Sequence, residues 1–426
     1  MSVTASRSRR ELDALKLDRL RTLVRTILPY NRFYAEKLAR VAAPAEIDTL
    51  DALVDWPFTF KEELVAGAAA GLPANLTWPV ERYARYHQTS GTRGRPLPVL
   101  DTADDWDWWM ACWREILARG GVGRGDRVLV AASFGPYAGF WSGFEAALAA
   151  GALAIPAGGL STRGRIELAR SLAATVLVAT PSYALHLAEV AAEEKLDAAA
   201  LPIRLVIVAG EPGGSVPAVR RRIADLWGAE VLDHAGATEV GPWGVGDLRG
   251  PGLDVLEPWF HPEFLSTETG GPAGPGELAE LVLTTLGRTG APVIRYRTGD
   301  LVRPRWPAPE EVATGGCPWV RLEGGILGRV DDMLVVRGVN VFPGAIDDIV
   351  RGFPEVVEYR VTVRSRDSLD ELEVEIEDRR AAPERVAREF QVRLGLRVDV
   401  RAVPPGSLPR FEGKGRRIVD ERRRAE

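Results

Sequence analysis

Short apolar runs alternate with helical patterns between about residues 105 and 232. In chain order the pattern predicts helix 106–119, strand 127–132, helix 139–150, strand 152–156, helix 163–173, strand 175–179, helix 181–194, and strands 204–209 and 230–233. Apolar strands that are separated by helices predict a parallel sheet covered on both faces. Ligands of such sheets bind outside the carboxyl ends of the strands, so residues 133–140, 210–214 and 234–239 are the first candidates for a site.

The pattern changes twice further along the chain. Residues 250–325 are rich in Gly and Pro and contain alternating strands such as 277–284, which predicts a smaller β-rich subdomain. After Gly328, strands 356–363 and 372–377, helix 382–394 and strand 397–403 predict a compact α+β unit. We therefore predict an α/β protein with a large N-terminal domain over residues 1–327 and a small C-terminal domain over residues 328–426.

The N-terminal segment predicts an amphipathic helix, because Leu12, Leu15, Leu20, Leu23 and Ile27 recur at helical spacing. The arginines at the start could belong to an organelle transit peptide, but acidic residues interrupt them. No apolar run of the kind found in a secretory signal follows them. An ordinary first helix is the preferred interpretation.

Composition excludes several classes of protein. Of the 426 residues, 46% are hydrophobic and 27% are charged, which is typical of a globular protein. A net charge of −5 does not favour nucleic-acid binding, and no apolar run is long enough to span a membrane. Cys112 and Cys317 are too few for a disulfide framework, so we expect a reduced, cytoplasmic setting.

Four glutamates alternate along the predicted strand 372–377 and its flank, at positions 371, 373, 375 and 377. Alternation places them on one face of the strand. A row of carboxylates could bind a metal, but a solvated strand face is the preferred interpretation.

A loop of small residues and glycines occupies residues 89–96 (TSGTRGRP). Its backbone N–H groups and hydroxyls are suited to surround phosphate oxygens, and Arg95 adds a bidentate phosphate donor. The spacing differs from that of a Walker A loop, which has four residues between its first glycine and the Gly-Lys pair. By itself such a loop is more often a surface turn than a phosphate-binding loop.

Two further motifs follow strands and carry carboxylates. In residues 233–239 (DHAGATE), Thr238 could contact a phosphate and Glu239 could bind Mg²⁺. A helix N-terminus with both residues in its first turn is an equally good local interpretation. In residues 296–300 (YRTGD), Asp300 follows a strand and a glycine turn, a position suited to bind both hydroxyls of a ribose.

The last two motifs lie in the predicted C-terminal domain. Residues 328–343 (GRVDDMLVVRGVNVFP) coincide with the change in composition, and residues 408–416 (LPRFEGKGR) carry Lys414 between two glycines. Together and in this order, the five motifs resemble those of the adenylate-forming (ANL) superfamily, most closely the phenylacetate–CoA ligases and related aryl-acid AMP ligases. Residues 29–34 (PYNRFY) and 56–64 (WPFTFKEEL) also look like the N-terminal part of that subgroup.

The resemblance covers nearly the whole chain and implies an activity. Members of the family use Mg·ATP to convert a carboxylate to an acyl-AMP, release pyrophosphate and transfer the acyl group to a thiol. It also implies ATP-binding residues, namely Ser90, Gly91, Thr92, Gly94, Arg95, Glu211, His234, Ala235, Asp300 and Arg329. Thr238 would contact the α-phosphate, Glu239 would hold Mg²⁺, and Lys414 would bridge the attacking carboxylate and the α-phosphate.

The same resemblance implies a pocket and a moving domain. The acyl group would lie among Phe134, Tyr137, Phe140, Ala209, Gly210 and Gly236. Asp331 would be the hinge of a mobile C-terminal domain, and the pantetheine arm of coenzyme A would approach Gly338, Val339 and Asn340.

The sequence departs from the subgroup's pattern within these motifs. Arg95 replaces the usual lysine of the phosphate loop, and Ala235 replaces an aromatic residue that would stack on adenine, for which His234 could compensate. Some relatives carry a Cys/His zinc site, but only His261 and Cys317 are available here, so no zinc is predicted. These departures favour natural-product metabolism with a substituted benzoate or an aminobenzoate as substrate, while the resemblance itself also allows a phenylacetate-type acid.

Three functions remain open from the sequence. The first is an aryl-acid ligase that uses ATP, Mg²⁺ and coenzyme A. The second is an acyl-AMP ligase that passes the aryl group to the phosphopantetheine of a carrier protein, or to an amine or hydroxyl acceptor. The third is a non-catalytic nucleotide-binding relative, which Ala235 supports and which Glu239, Asp300 and Lys414 oppose. A homodimer is compatible with each of them, and no nucleic-acid or membrane partner is expected.

Overall fold

The computed structural model describes residues 8–41, 44–66, 71–89, 95–337, 339–366, 369–411 and 417–422. Its α-helices are α1 (Arg9–Ile27), α2 (Arg32–Lys37), α3 (Lys61–Ala66), α4 (Ala103–Arg119), α5 (Ala138–Ala149), α6 (Thr162–Ser171), α7 (Pro181–Glu193), α8 (Pro217–Trp227), α9 (Pro309–Ala313), α10 (Pro343–Arg351) and α11 (Pro383–Leu394). Short 3₁₀ turns occupy Pro44–Glu46, Leu50–Asp55, Val80–Arg82 and Ala198–Ala200.

The strands in the same ranges are β1 (Tyr83–Gln88), β2 (Pro98–Thr102), β3 (Arg127–Val130), β4 (Leu153–Pro156), β5 (Val176–Ala179), β6 (Leu205–Ala209), β7 (Glu230–Ala237), β8 (Gly241–Asp247), β9 (Gly250–Val255), β10 (Phe260–Ser266), β11 (Ala279–Thr285), β12 (Tyr296–Val302), β13 (Pro304–Arg305), β14 (Arg321–Leu322), β15 (Gly328–Arg329), β16 (Leu334–Val336), β17 (Val339–Val341), β18 (Val356–Arg366), β19 (Leu369–Asp378), β20 (Asp399–Ala402) and β21 (Ile418–Asp420).

A nine-stranded sheet in the order β13-β14-β9-β8-β7-β6-β5-β3-β4 forms the centre of the protein. Strands β4, β3, β5, β6 and β7 are parallel, and the sheet continues through antiparallel pairs from β7 to β13. Alternate residues face opposite sides, so Val128 and Val130 pack with α4 and α5, whereas Leu129 packs on the side of α6, α7 and α8. The predicted α/β fold with a covered parallel sheet is confirmed.

Two details of this sheet differ from the prediction. Helix α8 was not predicted, although Pro217 at its first turn and Gly228 at its end, with φ 58°, are ordinary helix boundaries. Strand β7 continues beyond its predicted end to Ala237. Thr238 and Glu239 consequently lie in the turn between β7 and β8, and the interpretation of this segment as a helix N-terminus is wrong.

The segment from residue 250 onward supplies the predicted β-rich part. Strands β10, β11, β12 and β15 form a four-stranded antiparallel sheet, and β1 pairs with β2 separately. Because β15 holds Gly328 and Arg329 in that sheet, the chain that begins the predicted C-terminal domain is still paired with the N-terminal domain.

Helix α1 is anchored by an ion pair that the sequence pattern did not reveal. Leu12, Leu20 and Ile27 are buried as predicted, but Lys16 is buried as well, with 1% of its side chain exposed. Its Nζ lies 2.8 Å from Oε1 of Glu257, whose side chain is completely buried. The same carboxylate accepts hydrogen bonds from Arg9 and from the backbone N–H of Val320, so both of its oxygens have partners.

The C-terminal part contains a sheet in the order β20-β19-β18-β21, helices α10 and α11, and the hairpin of β16 and β17. The predicted glutamate row is ion-paired rather than simply solvated: its partners are Arg337, Arg364, Arg401, Arg360 and Arg410. Glu377 corrects the prediction outright, because only 1% of its side chain is exposed and it accepts the backbone N–H of Leu408 at 2.8 Å.

The C-terminal part packs against α7 and α8. Asp348 accepts the backbone N–H of Ala218 at 2.8 Å, and Arg222 donates to the carbonyl of Val356 at 2.7 Å. None of the helices in the described ranges combines the length and the apolar character that a membrane span requires.

Candidate active site

A cavity of about 1740 Å³ opens at the carboxyl ends of β3, β5, β6 and β7. Its lining includes residues 209–213 and 233–239, and therefore all of the predicted segment 234–239 and all of the predicted segment 210–214 except Gly214. Asp347, Tyr359 and Arg417 contribute a wall from the C-terminal part of the chain. The topology of the sheet therefore brings the separate motifs to one place.

Glu239 presents a carboxylate to this cavity from the turn after β7. Its Oε1 accepts a hydrogen bond from the Tyr296 hydroxyl at 2.9 Å and lies 3.7 Å from Nζ of Lys61. Burial and the adjacent carboxylate raise the pKa of Tyr296 well above its ordinary value, so the phenol keeps the proton that it donates. Oε2 has no partner in the part of the chain that the structure describes. A free carboxylate oxygen fits Mg²⁺, which takes one or two carboxylates together with phosphate oxygens and water.

Asp300 and Arg329 lie directly opposite each other on β12 and β15, and both line the cavity. Arg329 donates to Oδ1 of Asp300 at 3.1 Å. Gly299 has φ 74°, and a Cβ at this position would lie 2.9 Å from Nη2 of Arg329. The backbone conformation therefore favours glycine, and a Cβ here would displace the end of the Arg329 side chain.

The loop after β6 forms another part of the cavity wall. Ala209 ends β6, and Gly210 turns the chain with φ 94°. The carboxylate of Glu211 accepts the backbone N–H of Ser182 at 2.7 Å, in the first turn of α7. The cavity is thus lined by Ala209 and Gly210, which were predicted to bind the acyl group, and by Glu211, which was predicted to bind ATP.

His234 and Ala235 lie on β7 and line the floor of the cavity. The Nδ1 atom of His234 is 2.9 Å from the carbonyl oxygen of Gly244, and the ring centroids of His234 and Trp113 are 4.5 Å apart. Burial lowers the pKa of His234 to about 4, so the ring is neutral near pH 7. Beneath it, burial raises the pKa of Asp233 to about 6, against the opposing effect of a hydrogen bond from Ser215.

The three aromatic residues predicted for the acyl pocket have different surroundings. Tyr137 and Phe140 line the cavity. The ring of Phe134 instead packs against Trp141 and Phe144, with centroids 4.8 and 5.6 Å away.

Other predicted residues fall inside the cavity, beside it or outside the described chain. Gly236, Thr238, Arg95 and Asp331 line the cavity. Val339 lies in the β16–β17 hairpin and packs against the C-terminal core, and Asn340 pairs through its backbone with residue 335. The remaining predicted residues lie outside the described ranges; they are Ser90, Gly91, Thr92, Gly94, Gly338 and Lys414.

Within the described ranges, no three His, Cys, Asp or Glu side chains are grouped in a way that suits a protein-held metal ion. Cys317 and His261, the residues considered for zinc, are each largely buried. Burial raises the pKa of Cys317 to about 11.

Several residues of the cavity were not assigned a role from the sequence. Trp109 and Trp113 line it from α4, and Ser182 and Arg417 join across it. The Tyr296 hydroxyl was inside a quoted motif but carried no prediction. The sequence could have indicated the two tryptophans, because they are four residues apart and therefore lie on one face of the predicted helix. It could not have indicated the contact between Ser182 and Arg417, because these residues are far apart in the chain.

Comparisons with known proteins agree with this geometry. The model of the AMP-binding enzyme family matches residues 35–285, and the model of the AMP-binding enzyme C-terminal domain matches residues 338–422. The chain belongs to the AMP-binding enzymes, the adenylate-forming (ANL) superfamily. Within it the chain is similar to the phenylacetate–coenzyme A ligase of Pseudomonas putida, with 31% identity covering 96% of this chain and 95% of the relative.

Two solved structures of one protein add information about the arrangement of the domains. A 2-hydroxyisobutyryl-CoA ligase in the postadenylation state, in complex with R3-HIB-AMP, has a TM-score of 0.90 at 28% identity, covering 100% of this chain and 95% of that one. The same ligase with 2-HIB-AMP and CoA in the thioesterification state has a TM-score of 0.71 at 29% identity, covering 98% and 91%. The arrangement described above is therefore closer to the postadenylation structure.

Proposed function

We propose that this protein activates an aromatic carboxylic acid with ATP, forms an acyl-AMP with release of pyrophosphate, and transfers the acyl group to the thiol of coenzyme A. The observation that carries the proposal is that Glu239, Asp300, Arg329 and Arg95 all line one cavity. The similarity to phenylacetate–coenzyme A ligase supports the same reaction class.

The first half-reaction joins two anions. A carboxylate oxygen of the acid attacks the α-phosphorus, and the bond from that phosphorus to pyrophosphate breaks. Arg95 lines the cavity, and with Lys414 it would lower the repulsion between the two anions. Magnesium held by Glu239 and the phosphates would supply positive charge to the departing pyrophosphate. The Tyr296 hydrogen bond and Lys61 orient the Glu239 carboxylate for this task.

The nucleotide would be oriented by the residues around it. Asp300, held by Arg329, has the acceptor oxygens that two ribose hydroxyls require. Thr238 would donate to the α-phosphate from the β7–β8 turn. A misplacement of the reacting atoms by about 1 Å can slow a reaction by about 10²-fold. Residues that hold the nucleotide in position would therefore contribute directly to the rate.

The second half-reaction requires the C-terminal part to move. The thiol attacks the acyl carbonyl carbon and AMP leaves, so the thiol needs a path to a site that Arg417 and Tyr359 partly cover. Rotation about Asp331, which lies in the turn after β15, would uncover it. The contact between Arg417 and Ser182 has to break in that rotation.

An aromatic acid is favoured by the walls of the cavity. Trp109, Trp113, Tyr137 and Phe140 line it, and flat side chains of this kind pack well against a ring. We propose a substituted benzoate, an aminobenzoate or a phenylacetate-type acid as the substrate, in natural-product metabolism.

The test is pyrophosphate release across a panel of aryl acids, with and without coenzyme A, in the presence of Mg²⁺. We expect sustained release only when coenzyme A is present, together with an acyl-CoA product. Acyl-AMP that accumulates whether or not coenzyme A is present would instead indicate a carrier protein, an amine or a hydroxyl as the acceptor. The absence of pyrophosphate release with every acid of the panel would refute the proposal and favour a non-catalytic nucleotide-binding protein.

A further inference from the structure

A buried arginine holds the backbone of Glu239, the residue proposed to bind Mg²⁺. Nη1 of Arg288 donates to the carbonyl oxygen of Glu239 at 2.8 Å. The Arg288 side chain is completely shielded from water, and its guanidinium lies 5.8 Å from the centre of the Trp109 ring, which lines the cavity. Arg288 therefore lies behind the cavity wall and contacts the site through Glu239.

The other edge of the same guanidinium is held by a buried carboxylate. Nε and Nη2 of Arg288 lie 2.9 and 2.7 Å from Oδ1 of Asp101, whose side chain is also completely buried. The nearby His87 carries no charge near pH 7, because burial, together with the charges of Arg85 and Arg288, lowers its pKa to about 4. Asp101 thus fixes the guanidinium in the orientation that directs Nη1 at the carbonyl of Glu239.

This ion pair connects two parts of the candidate site that are far apart in the chain. Asp101 lies on β2, which pairs with β1, and the predicted phosphate loop 89–96 lies between these two strands. Glu239 lies in the turn between β7 and β8. The single side chain of Arg288 therefore joins the β1–β2 hairpin to the turn that carries the proposed magnesium ligand.

The loop that carries Arg288 is itself held in place by buried side chains. Oδ1 of Asp105 accepts the backbone N–H groups of Thr289 and Gly290 at 2.9 and 3.0 Å. The Tyr83 hydroxyl donates to the carbonyl of Gly290 at 2.6 Å. A guanidinium on a loop that is fixed in this way can in turn fix the position of the turn it contacts.

We propose that Arg288 is a positioning residue that, together with Asp101, holds the β7–β8 turn so that the Glu239 carboxylate is presented to the cavity. The inference rests on the proposed function, specifically on its binding of Mg·ATP. The Tyr296 hydroxyl directs the end of the Glu239 side chain, whereas Arg288 holds its backbone, so the two contacts support the same carboxylate from different sides.

The test measures the binding of Mg·ATP by calorimetry without any acid, so that no reaction takes place. In Arg288→Met, which removes every donor of the guanidinium, we expect the Kd for Mg·ATP to rise about 10- to 100-fold, the usual effect of losing a residue that supports a metal ligand. Arg288→Lys keeps the charge beside Asp101 but lacks the fork that reaches both partners, so its Kd should rise less.

A matched control distinguishes positioning from a general loss of stability. Lys16→Met also removes the cation of a completely buried pair, but that pair joins α1 to Glu257. It should lower the free energy of unfolding and leave the Kd for Mg·ATP unchanged. In the absence of ligand, hydrogen exchange in the β7–β8 turn should be faster in Arg288→Met than in Lys16→Met.

A double-mutant cycle tests whether Arg288 acts through Glu239. In a protein that already carries Glu239→Gln, the further change Arg288→Met should raise the Kd for Mg·ATP little. A Kd that rises by the same factor in both backgrounds would overturn the inference, because Arg288 would then act independently of Glu239. An unchanged Kd in Arg288→Met would overturn it as well.

Two further outcomes have defined meanings. If Arg288→Met does not fold, the same cycle with Arg288→Lys decides the question in the same way. Pyrophosphate release with the acid panel tests the proposed function separately: a protein that binds Mg·ATP and releases no pyrophosphate refutes that function, while the binding cycle still decides the role of Arg288. A wild-type protein that does not bind Mg·ATP would overturn both.

Discussion

Ser182 accepts a hydrogen bond from Arg417 at 2.7 Å, while its backbone N–H binds the carboxylate of Glu211 at 2.7 Å. One residue in the first turn of α7 thus contacts both the loop after β6, which lines the cavity, and the C-terminal part of the chain. Arg417 is itself held by Glu358, at 2.6 Å from Nε. The position of the C-terminal part is therefore linked to the edge of the site by a short chain of polar contacts.

Replacing Ser182 with alanine should loosen this arrangement. The change removes only the hydroxyl and keeps the N–H that binds Glu211, so about 1 kcal/mol of docking free energy is lost, which is roughly a five-fold shift in the equilibrium. Small-angle scattering should detect a larger fraction of undocked molecules. Ser171→Ala, at an exposed hydroxyl of α6, is the control and should leave the scattering curve unchanged. Identical curves for the wild type and Ser182→Ala would contradict the prediction.

Glu239→Gln should lower kcat for pyrophosphate release about 10²- to 10³-fold, because the amide keeps the acceptor for Tyr296 but loses the charge that binds Mg²⁺. A Mg²⁺ titration should require a higher concentration for half-maximal rate. Tyr296→Phe is the matched variant, since it removes the donor and keeps the carboxylate, and its loss should be much smaller. Equal losses in the two variants would argue against a charge-based role of Glu239.

Asp300→Asn should raise the KM for ATP about 10- to 100-fold, the usual effect of weakening hydrogen bonds to a charged acceptor. The KM for the acid should change little, because Asp300 pairs with Arg329 in the part of the cavity that we propose for the nucleotide. Steady-state kinetics with each substrate varied in turn separates the two values. Asp225→Asn, at an exposed position of α8, serves as the control. A change confined to the KM of the acid would refute the assignment.

Lys414→Ala should abolish adenylation and spare thioester formation from supplied acyl-AMP, because in the proposed function the lysine acts only where the carboxylate meets the α-phosphate. The two half-reactions can be measured separately, as pyrophosphate release and as acyl-CoA formation. Lys195→Ala, which changes an exposed lysine, should affect neither. Equal loss of both half-reactions would speak against a domain that rotates between two positions.

Asp233 and His234 should make opposite contributions to the pH dependence of stability. The pKa of Asp233 is raised to about 6 from 3.8, so the folded state retains a proton that the unfolded state loses, and this contribution falls as the pH rises from about 4 to 6. The pKa of His234 is lowered to about 4 from 6.5, so its contribution rises with pH over about 4 to 6.5. Each shift of about two pKa units corresponds to roughly 3 kcal/mol.

Urea unfolding at several pH values measures the two contributions. Relative to the wild type, Asp233→Asn should gain stability as the pH rises from 4 to 6, and His234→Leu should lose it. In the wild type these two groups should together change the free energy of unfolding little over this pH range, because their contributions offset each other. Parallel pH profiles for all three proteins would contradict the assigned directions.

The central sheet and the location of the cavity could be predicted because both depend on local patterns. Runs such as those of β3 and β6 are short and apolar, and parallel topology then fixes where their ends meet. The proximity of Asp300 and Arg329 followed only from the resemblance, whereas the pairing of β12 with β15 explains it physically.

The features that were not predicted from the sequence are of two kinds. Some depend on contacts between residues far apart in the chain, and one, helix α8, has a sequence pattern that was overlooked. Glu377 looks solvated from its alternation, but Arg410 and the backbone of Leu408 fold back over it. The packing of Trp113 on His234 joins residues far apart in the chain. Helix α8 did have a local signal, since Val219, Ile223 and Trp227 are spaced by one helical turn, and its many arginines obscured that signal.

The ion pair between Lys16 and Glu257 has a consequence for how this sequence can diverge. Both charges are shielded from water, and in the described part of the chain each has only one other charged partner, Arg9 for Glu257 and the more exposed Asp13 for Lys16. Losing either one alone would leave the other only partly compensated, at a cost of up to about 3–5 kcal/mol. An apolar pair of similar volume could be tolerated, but only if both positions changed. Homologous sequences should therefore show positions 16 and 257 covarying, charged together or apolar together, even though 240 intervening residues separate them along the chain.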